Sequence, residues 1–158
     1  MSAMSMKLIS SAIAAGQTIP SRHSCEGADL SPPLRWSGAP EGTRSFALLC
    51  DDPDAPAGTW HHWALFDLPA GTTELAEGYP REAHVGVTRQ AINDFGVSGY
   101  RGPCPPHGHD THHYHFKLLA LGIDKLAVKE GGKCKDVATA ARSHVLATAE
   151  LIGTYARR

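Results

Sequence analysis

The sequence predicts a mostly β protein, a sandwich of two antiparallel sheets with a few peripheral helices, one of them near the C-terminus. The chain of 158 residues contains 16 glycines and 11 prolines, and short apolar runs lie between them at roughly regular spacing. Such spacing favours a β-sandwich over alternating strand–helix units. Only the tail, from about Lys135, changes to a helical pattern. We expect one domain over residues 1–158, since this length is ordinary for a single domain.

The candidate strands follow from apolar runs bounded by turn residues. The run Phe46–Cys50 is almost entirely apolar, which is typical of a central strand buried on both faces. Proline and glycine clusters such as Pro69-Ala70-Gly71 indicate turns. The predicted strands are, in order, Lys7–Ser10, Leu34–Trp36, Ser45–Asp51, His62–Leu68, Ala91–Asn93 and Tyr114–Gly122.

The tail is predicted to form a helix followed by a final strand. Alanine is frequent between Lys135 and Ala147, and apolar residues recur every fourth position, at Val137, Ala141 and Val145. This spacing gives one apolar stripe along a helix. Asp136 is the predicted N-cap. The later segment Glu150–Tyr155 ends in Ile-Gly-Thr-Tyr, which suits a strand better than a helix.

Composition excludes several classes of function. The net charge of −1 gives no basic face for nucleic acid. The apolar runs fall far short of the roughly 20 residues that span a bilayer, so we expect no membrane insertion. The start, Met1–Pro20, resembles a secretory signal only weakly because serines interrupt its apolar part. We therefore expect a cytoplasmic protein.

The four cysteines form no recognisable zinc-binding or redox motif. No pair of the four has the C-x-x-C spacing of a zinc or redox site. One or two disulfides are compatible with the even count, but free thiols are the expectation for a chain that is not secreted. The four positions are Cys25, Cys50, Cys104 and Cys134.

Two stretches carry most of the functional information. The first contains the acidic, proline-rich Asp51–Pro56 and then Trp60–Trp63, with two histidines. The second contains Gly102–Pro106 and then His112–Phe116, with three histidines. Each stretch places carboxylates or prolines beside imidazoles where a strand begins or ends. We expect the two stretches to form opposite walls of one polar pocket.

Strand alternation selects particular histidines for this pocket. If side chains alternate along the strand, His62 shares an apolar face with Ala64, Phe66 and Leu68. In the second stretch, His112 shares a face with the apolar side chains Tyr114, Phe116, Leu118 and Ala120. His113, His115 and Lys117 take the opposite face, which we expect to be solvated.

The prolines constrain the loop that carries the acidic residues. Asp52 and Asp54 flank Pro53, and a proline fixes φ and restricts the residue before it. An Asp52 carboxylate bonded to His62 would set its tautomer and favour its protonated form, which suits an anion. Opposite, Pro105 and Pro106 would shape the rim, and the Cys104 amide N–H would donate to a bound oxyanion.

Simpler explanations of these residues remain open. An aspartate before proline often forms a turn, a histidine on an apolar face is usually a bonded core residue, and Trp60 and Trp63 suit core or rim packing. The run His107–His115 resembles the H-x-H-x-D-H zinc motif of metallo-β-lactamase-like hydrolases, which makes a metal-dependent hydrolase the alternative function. A Cys104–His112 nucleophile pair is disfavoured because no helix N-terminus lies beside the thiol.

The motifs taken together resemble the phosphatidylethanolamine-binding protein (PEBP) family, and within it the bacterial branch called Raf kinase inhibitor-like proteins. The matching segments, which run through nearly the whole chain in the right order, are Leu30–Trp36, Asp51–Pro56, Trp60–Trp63, Asn93–Gly96, Gly99–Pro106, His112–Phe116, His144–Ala147 and Gly153–Tyr155. The combination of D-P-D-A-P, H-H-W and G-P-C-P-P is highly specific.

The resemblance implies a β-sandwich with a small pocket that accepts phosphoryl or carboxylate groups. It places pocket residues at Asp52, His62, Cys104, Pro105, Pro106, His112 and Tyr114, with Asp54 as a supporting carboxylate. It implies a binding protein that takes a small phosphorylated or carboxylated ligand, with no cofactor and no general catalytic activity. It also implies a protein kinase or protease partner and a homodimer. A second hypothesis is an inhibitor or scaffold that contacts such a partner through surface loops such as Arg101–Thr111.

The sequence departs from the family pattern in three places. His113 stands where the family usually has arginine, so a titratable group replaces a fixed charge. The insert His109–Thr111 is unusually rich in histidine. The chain ends at Arg158 without the C-terminal helix that covers the pocket in eukaryotic members, so we expect a more open rim.

Overall fold

The computed structural model describes residues 5–158. Residues 1–4, which begin both the expected domain and the segment considered as a signal peptide, lie outside the described residues. Among the described residues, the regular elements are nine strands, one α-helix and two short 3-10 turns. They are β1 (Lys7–Ile9), β2 (Leu34–Ser37), β3 (Ser45–Asp52), β4 (Trp60–Pro69), β5 (Glu74–Leu75), β6 (His84–Val85), β7 (Thr88–Gln90), β8 (His112–Leu121), α1 (Cys134–Ala141), β9 (Val145–Tyr155), and the 3-10 turns Ser21–His23 and Arg142–His144.

The strands form two antiparallel sheets, which confirms the predicted fold class. The smaller sheet has the order β1-β2-β5, and the larger has the order β6-β7-β4-β3-β8-β9. The apolar run that predicted a central strand is β3, which pairs with β4 on one side and with β8 on the other. Among residues 5–158 no helix is long and apolar enough to cross a membrane.

The larger sheet carries a core on each face. Between the sheets, Trp36 of β2 packs into one apolar cluster with Leu48 of β3 and Phe116 of β8. On the other face, Val137 and Ala141 of α1 pack into a second cluster with the small and apolar residues of β3 and β4. Because both faces are covered, β3 is buried along nearly its whole length, and its C-terminal residue Asp52 is carried to one end of the sandwich.

The predicted alternation holds on β8 and fails on β4. On β8, the residues Tyr114, Phe116, Leu118 and Ala120 all belong to the cluster between the sheets. On β4, Ala64 and Phe66 belong to the cluster under α1, whereas Trp63, Leu65 and Leu68 belong to the cluster between the sheets. The cause is two irregularities in the register with β3, since a β-bulge shifts every side chain beyond it to the opposite face. The second irregularity contains Asp67, whose φ is +59°.

Two predicted elements were wrong in position. Ala91–Asn93 is not a strand: Ile92 makes only isolated bridges, to Ser98 and Lys133, and the strand in this region is β7, just before it. The predicted helix Lys135–Ala147 ends early, because Val145 begins β9 and pairs with Leu121 of β8.

Asp136 occupies a different position in α1 from the predicted one. It lies in the first turn of α1, inside the helix, and its Oδ2 accepts a hydrogen bond from the backbone N–H of Lys133 at 2.9 Å. The N-cap residue is Lys133. Asp136 is the third residue of the helix, and its side chain bonds back to the N-cap backbone as in a capping box.

Candidate functional site

The two sequence stretches meet at one end of the sandwich and enclose a pocket of about 180 Å³. The pocket lies where β3 ends, β4 begins and β8 begins, and the segment before β8 closes it on the remaining side. Seven of the eight predicted site residues line it. The lining consists of Asp52, Ala55, Pro56, Trp60, His62, Phe95, Cys104, Pro105, Pro106, His112 and Tyr114.

Asp52 and His112 form a buried pair at the base of the pocket. The Nδ1 of His112 lies 2.6 Å from Oδ2 of Asp52, and each residue is only 3% exposed. The other carboxylate oxygen of Asp52 accepts the backbone N–H of Asp54 at 2.8 Å. Both oxygens of Asp52 are therefore engaged, which fixes the imidazole of His112. The predicted bond from Asp52 to His62 was wrong, because His112 takes the carboxylate.

His62 is held by a backbone carbonyl instead. Its Nδ1 lies 2.7 Å from the carbonyl oxygen of Arg101. A carbonyl oxygen only accepts, so Nδ1 of His62 carries the hydrogen and Nε2 of the neutral ring carries a lone pair. Burial lowers the pKa of His62 from its ordinary value of 6.5 and outweighs the Arg101 bond and the nearby carboxylates, which raise it. The prediction that an aspartate keeps this ring protonated was therefore wrong.

Two buried polar atoms of the lining residues make no hydrogen bond of normal geometry. They are the hydroxyl of Tyr114 and the indole Nε1 of Trp60, as judged among residues 5–158, and the Asp52 carboxylate lies close enough to the phenol to act as a weak acceptor. Burial raises the pKa of Tyr114 far above its ordinary value, and the charge of Asp52 raises it further, so the phenol stays protonated. Its ring lies against both imidazoles, with centroids 5.2 Å from His62 and 6.4 Å from His112. Buried polar atoms are normally satisfied, so these two atoms indicate room for a ligand or ordered water.

A disulfide fixes the rim that carries Cys104. Cys104 is bonded to Cys25, with Cα atoms 5.4 Å apart, and the backbone N–H of Cys25 donates to the carbonyl of Pro103 at 3.0 Å. The expectation of free thiols was therefore wrong for this pair, although Cys50 and Cys134 are free and buried.

The neighbouring prolines of the rim are held from the C-terminal end of the chain. The carbonyl of Pro105 accepts a hydrogen bond from Nε of Arg157 at 2.8 Å, just after β9 ends. The segment Cys104–Pro106 is therefore held at Cys104 by the disulfide and at Pro105 by this hydrogen bond.

Asp54 is the predicted site residue that lies outside the lining. Its Oδ2 accepts both the backbone N–H and the Nδ1–H of His113, each at 2.8 Å, and its side chain is 42% exposed. The hydrogen bond from His113 lowers the pKa of this carboxyl below its ordinary value. Asp54 therefore ties the acidic loop to the start of β8. His113 makes this connection on the outside of the pocket.

Sequence reasoning missed the residues that hold Arg101 in place. Asp29 has a φ of +58°; its Oδ1 accepts the backbone N–H of Gly102 at 2.8 Å, and its Oδ2 lies 3.5 Å from the Arg101 guanidinium. Gly102 is packed so tightly that an added Cβ would lie 1.8 Å from the carbonyl oxygen of His23. These contacts fix the carbonyl that sets the tautomer of His62.

Phe95 is the second omission. It is 41% exposed, and its ring packs edge-on, with centroids 5.4 Å from those of both His62 and Trp60. The side chain of buried Asn93 holds this loop, since Oδ1 accepts the N–H of Phe95 and Nδ2 donates to the carbonyl of Gly99, both at 2.9 Å. The only sequence signal for Phe95 as a site residue was its position in the motif Asn-Asp-Phe-Gly, as an aromatic residue in a tight turn.

The structure gives no support to the metal-dependent hydrolase. Within residues 5–158 no three histidine, cysteine or acidic side chains come together in a way that could hold an ion. Three histidines of the run His107–His115 are instead paired with separate carboxylates, at Asp52, Asp54 and Glu150.

The fold and the pocket together define a class: an antiparallel β-sandwich with one small, histidine-lined pocket where the larger sheet ends. The family model described as phosphatidylethanolamine-binding protein matches residues 9–156. The chain therefore belongs to the phosphatidylethanolamine-binding protein family, and the resemblance drawn from the motifs is confirmed.

Individual relatives agree. A UPF0098 protein of Aquifex aeolicus strain VF5 is 45% identical over 152 residues, covering 96% of this chain and 89% of the relative. UPF0098 protein YbcL of Escherichia coli K12 is 38% identical over 162 residues, covering 97% of this chain and 88% of the relative.

Two solved structures have the same fold. The crystal structure of E. coli YbcL, described as a new member of the mammalian PEBP family, superposes with a TM-score of 0.92 at 36% identity, covering 98% of this chain and 100% of that one. The putative PEBP homologue CT736 of Chlamydia trachomatis D/UW-3/CX gives a TM-score of 0.85 at 37% identity, covering 98% and 99% of the two chains.

Proposed function

We propose that this is a ligand-binding protein whose pocket takes a small phosphoryl or carboxylate group. The observation that carries the proposal is the buried hydroxyl of Tyr114, which lines the pocket and makes no hydrogen bond of normal geometry with the described residues. An unsatisfied buried donor costs about 1–3 kcal/mol, which an oxyanion placed in the pocket would recover. The high pKa of the phenol keeps this hydrogen available to an acceptor.

The two histidines support the same occupant. Each uses Nδ1 for a protein acceptor, Asp52 for His112 and the Arg101 carbonyl for His62, so each ring leaves Nε2 as its second hydrogen-bonding atom. The family is described as binding phosphatidylethanolamine, whose headgroup contains a phosphoryl group. A pocket of about 180 Å³ has room for such a group but not for a whole lipid.

The test is a calorimetric titration in which phenyl phosphate or benzoate is added to the protein. Benzyl alcohol is the uncharged comparison ligand. We expect Tyr114→Phe to weaken phenyl phosphate binding roughly 10- to 100-fold, because a hydrogen bond to a charged group contributes about 1.5–3 kcal/mol. His62→Ala should weaken it as well. Benzyl alcohol should bind much more weakly than either anion.

The matched control is Tyr79→Phe, which removes a phenol hydroxyl from a partly buried tyrosine that does not line the pocket. This variant should bind phenyl phosphate as the parent protein does. Equal affinity of the Tyr114→Phe and Tyr79→Phe variants would refute the pocket assignment, provided that both show the parent's circular dichroism and melting cooperativity.

The remaining functional statements stay predictions. They are the kinase or protease partner, the homodimer, the absence of catalysis and the cytoplasmic location. The disulfide between Cys25 and Cys104 weighs against the cytoplasm, because disulfides persist mainly in oxidising compartments.

A further inference from the structure

The lining of the pocket has an unusual charge for an anion site. None of the described residues that line it is a lysine or an arginine, and Asp52 is the one carboxylate among them. Two arginines hold the walls of the pocket from outside the lining: Arg101 offers its backbone carbonyl to His62 and turns its guanidinium toward Asp29, and Arg157 donates its Nε to the carbonyl of Pro105. A doubly charged ligand would therefore enter a buried site that already contains a carboxylate and offers no fixed cation. Burying charge without a partner is strongly unfavourable.

The hydrogen-bonding atoms of the pocket are of both kinds. The hydroxyl of Tyr114 makes no hydrogen bond of normal geometry with the described residues, so its hydrogen can turn from the nearby Asp52 carboxylate to a ligand and act as a donor. His62 offers the opposite, because the Arg101 carbonyl keeps the ring hydrogen on Nδ1 and leaves a lone pair on Nε2. A ligand that matches both atoms must accept one hydrogen bond and donate another.

We propose that the pocket takes a phosphoryl group in its protonated, singly charged form, whose P–OH donates to Nε2 of His62 while the Tyr114 hydroxyl donates to a phosphoryl oxygen. The proposal rests on the function proposed above and specifies the protonation state of the ligand. A dianion has no hydrogen for His62 and places an anionic oxygen against its lone pair. A phosphodiester, such as the headgroup of phosphatidylethanolamine, has the right charge but lacks the P–OH, so we expect it to bind in this pocket more weakly than a monoester.

The groups around His62 decide whether the ring could take up the proton itself. Asp52 and Asp51 on β3 and Asp29 in the segment before β2 all favour a charged ring, whereas burial opposes it and is the largest cause. On its other sides the ring meets the neutral phenol of Tyr114 and the apolar edge of Phe95, neither of which adds charge. His112 lies beyond Tyr114 and is bonded to Asp52. The ring of His62 is thus the acceptor, and the ligand supplies the hydrogen.

The experiment measures the affinity of the whole protein for phenyl phosphate between pH 5 and pH 8. With a second phosphate pKa of about 6, the singly charged fraction falls from roughly 90% to roughly 1% over this range. Apparent affinity scales with the population of the competent form, so it should fall about 90-fold. For 4-nitrophenyl phosphate, whose second pKa is lower, the midpoint of the fall should move to lower pH by the same difference.

Methyl phenyl phosphate, a diester with one charge at every pH in the range, is the matched control ligand. It should bind more weakly than phenyl phosphate at pH 5 and should show no fall toward pH 8. An identical midpoint for the two monoesters, or a parallel fall for the diester, would place the proton on the protein and overturn the proposal. Tighter binding of the dianion at pH 8 would overturn it too.

These outcomes differ from a failure of the function itself. If phenyl phosphate binds with a dependence on Tyr114 but with a flat pH profile, the anion pocket stands and the protonation inference falls. If no phosphoryl ligand binds at any pH in a way that depends on Tyr114, both fall.

Discussion

Replacing both Cys25 and Cys104 by serine should strongly reduce the stability of the protein, because their disulfide closes a long loop. The two cysteines are 79 residues apart in sequence. In the chain-entropy description, a crosslink over a loop of that length removes enough freedom from the unfolded chain to contribute about 4.5 kcal/mol at 25 °C. For a domain whose total stability is about 5–15 kcal/mol, this is a large fraction. At about 2–4 °C per kcal/mol, the melting temperature should fall by roughly 9–18 °C.

The assay is guanidinium unfolding of the oxidised protein and of the double serine variant, each with and without a phosphine reductant. The reductant should destabilise the parent and leave the variant unchanged, because the remaining cysteines, Cys50 and Cys134, are free thiols. Equal unfolding free energies of parent and variant would refute the loop-closure reasoning. A non-reducing peptide map without a peptide crosslinked between Cys25 and Cys104 would refute the pairing itself.

The pKa values of the adjacent histidines His61 and His62 should be shifted in opposite directions. The hydrogen bond to Asp51 raises the pKa of His61 above 6.5, so its contribution to stability is full below pH 6.5 and is lost as the pH rises through the higher value. Burial lowers the pKa of His62, so stability is lost as the pH falls from 6.5 through the lower value. NMR titration of the ring signals checks both, and the reverse order of titration would contradict them. Separately, Gly102→Ala should destabilise the fold by about 1–3 kcal/mol in chemical denaturation, because the added Cβ would lie 1.8 Å from a main-chain oxygen. Gly71→Ala, which meets no atom within 4 Å, is the control and should be near neutral.

The strands that the sequence located well are those with a regular ladder on both sides. On β8 the alternation was right because ten consecutive residues pair with β9 with only one irregularity, near the end at Leu121. On β4 it was wrong because the strand contains two irregularities in its pairing with β3. The positive φ of Asp67 marks one of them, and its Oδ1 accepts the N–H of Leu126 at 2.9 Å. That bond reaches 59 residues along the chain, so no local pattern could have revealed it.

The end of the helix was missed for a similar reason. Alanine propensity continues past Ala141, but a partner strand competes for the backbone that follows. Val145 pairs with Leu121, and the N–H of Gly122 donates to the carbonyl of His144 at 2.9 Å. Tertiary pairing overrides helix propensity here, and the β-branched Val145 fits the strand well.

The pocket itself could be located from its motifs because side-chain identity marks its walls. Asp52 was selected by proline context and the two histidines, His62 and His112, by alternation. All three line one cavity, although the alternation assumed for the strand of His62 was wrong. Their partners could not be predicted, since the group that holds His62 is the main-chain carbonyl of Arg101, which any residue type at that position would supply. The disulfide between Cys25 and Cys104 could not be predicted either, because the two cysteines lie far apart in sequence and no short motif links them.

The charge of the ligand that a pocket accepts depends more on the hydrogen-bond partners of its side chains than on the residue types that a sequence motif identifies. His62 and His112 are the same residue type and lie on either side of one tyrosine, yet Nδ1 of His112 faces a carboxylate and Nδ1 of His62 faces a carbonyl. Both partners accept a hydrogen bond from Nδ1, but the carboxylate carries a negative charge and the carbonyl does not, so the two rings lie beside partners of different charge. Two histidines beside an aspartate therefore do not by themselves make a cationic site. In this protein the arrangement leaves a neutral acceptor next to a phenol that makes no hydrogen bond of normal geometry, which is why we propose an oxyacid that keeps a proton rather than a fully ionised ligand.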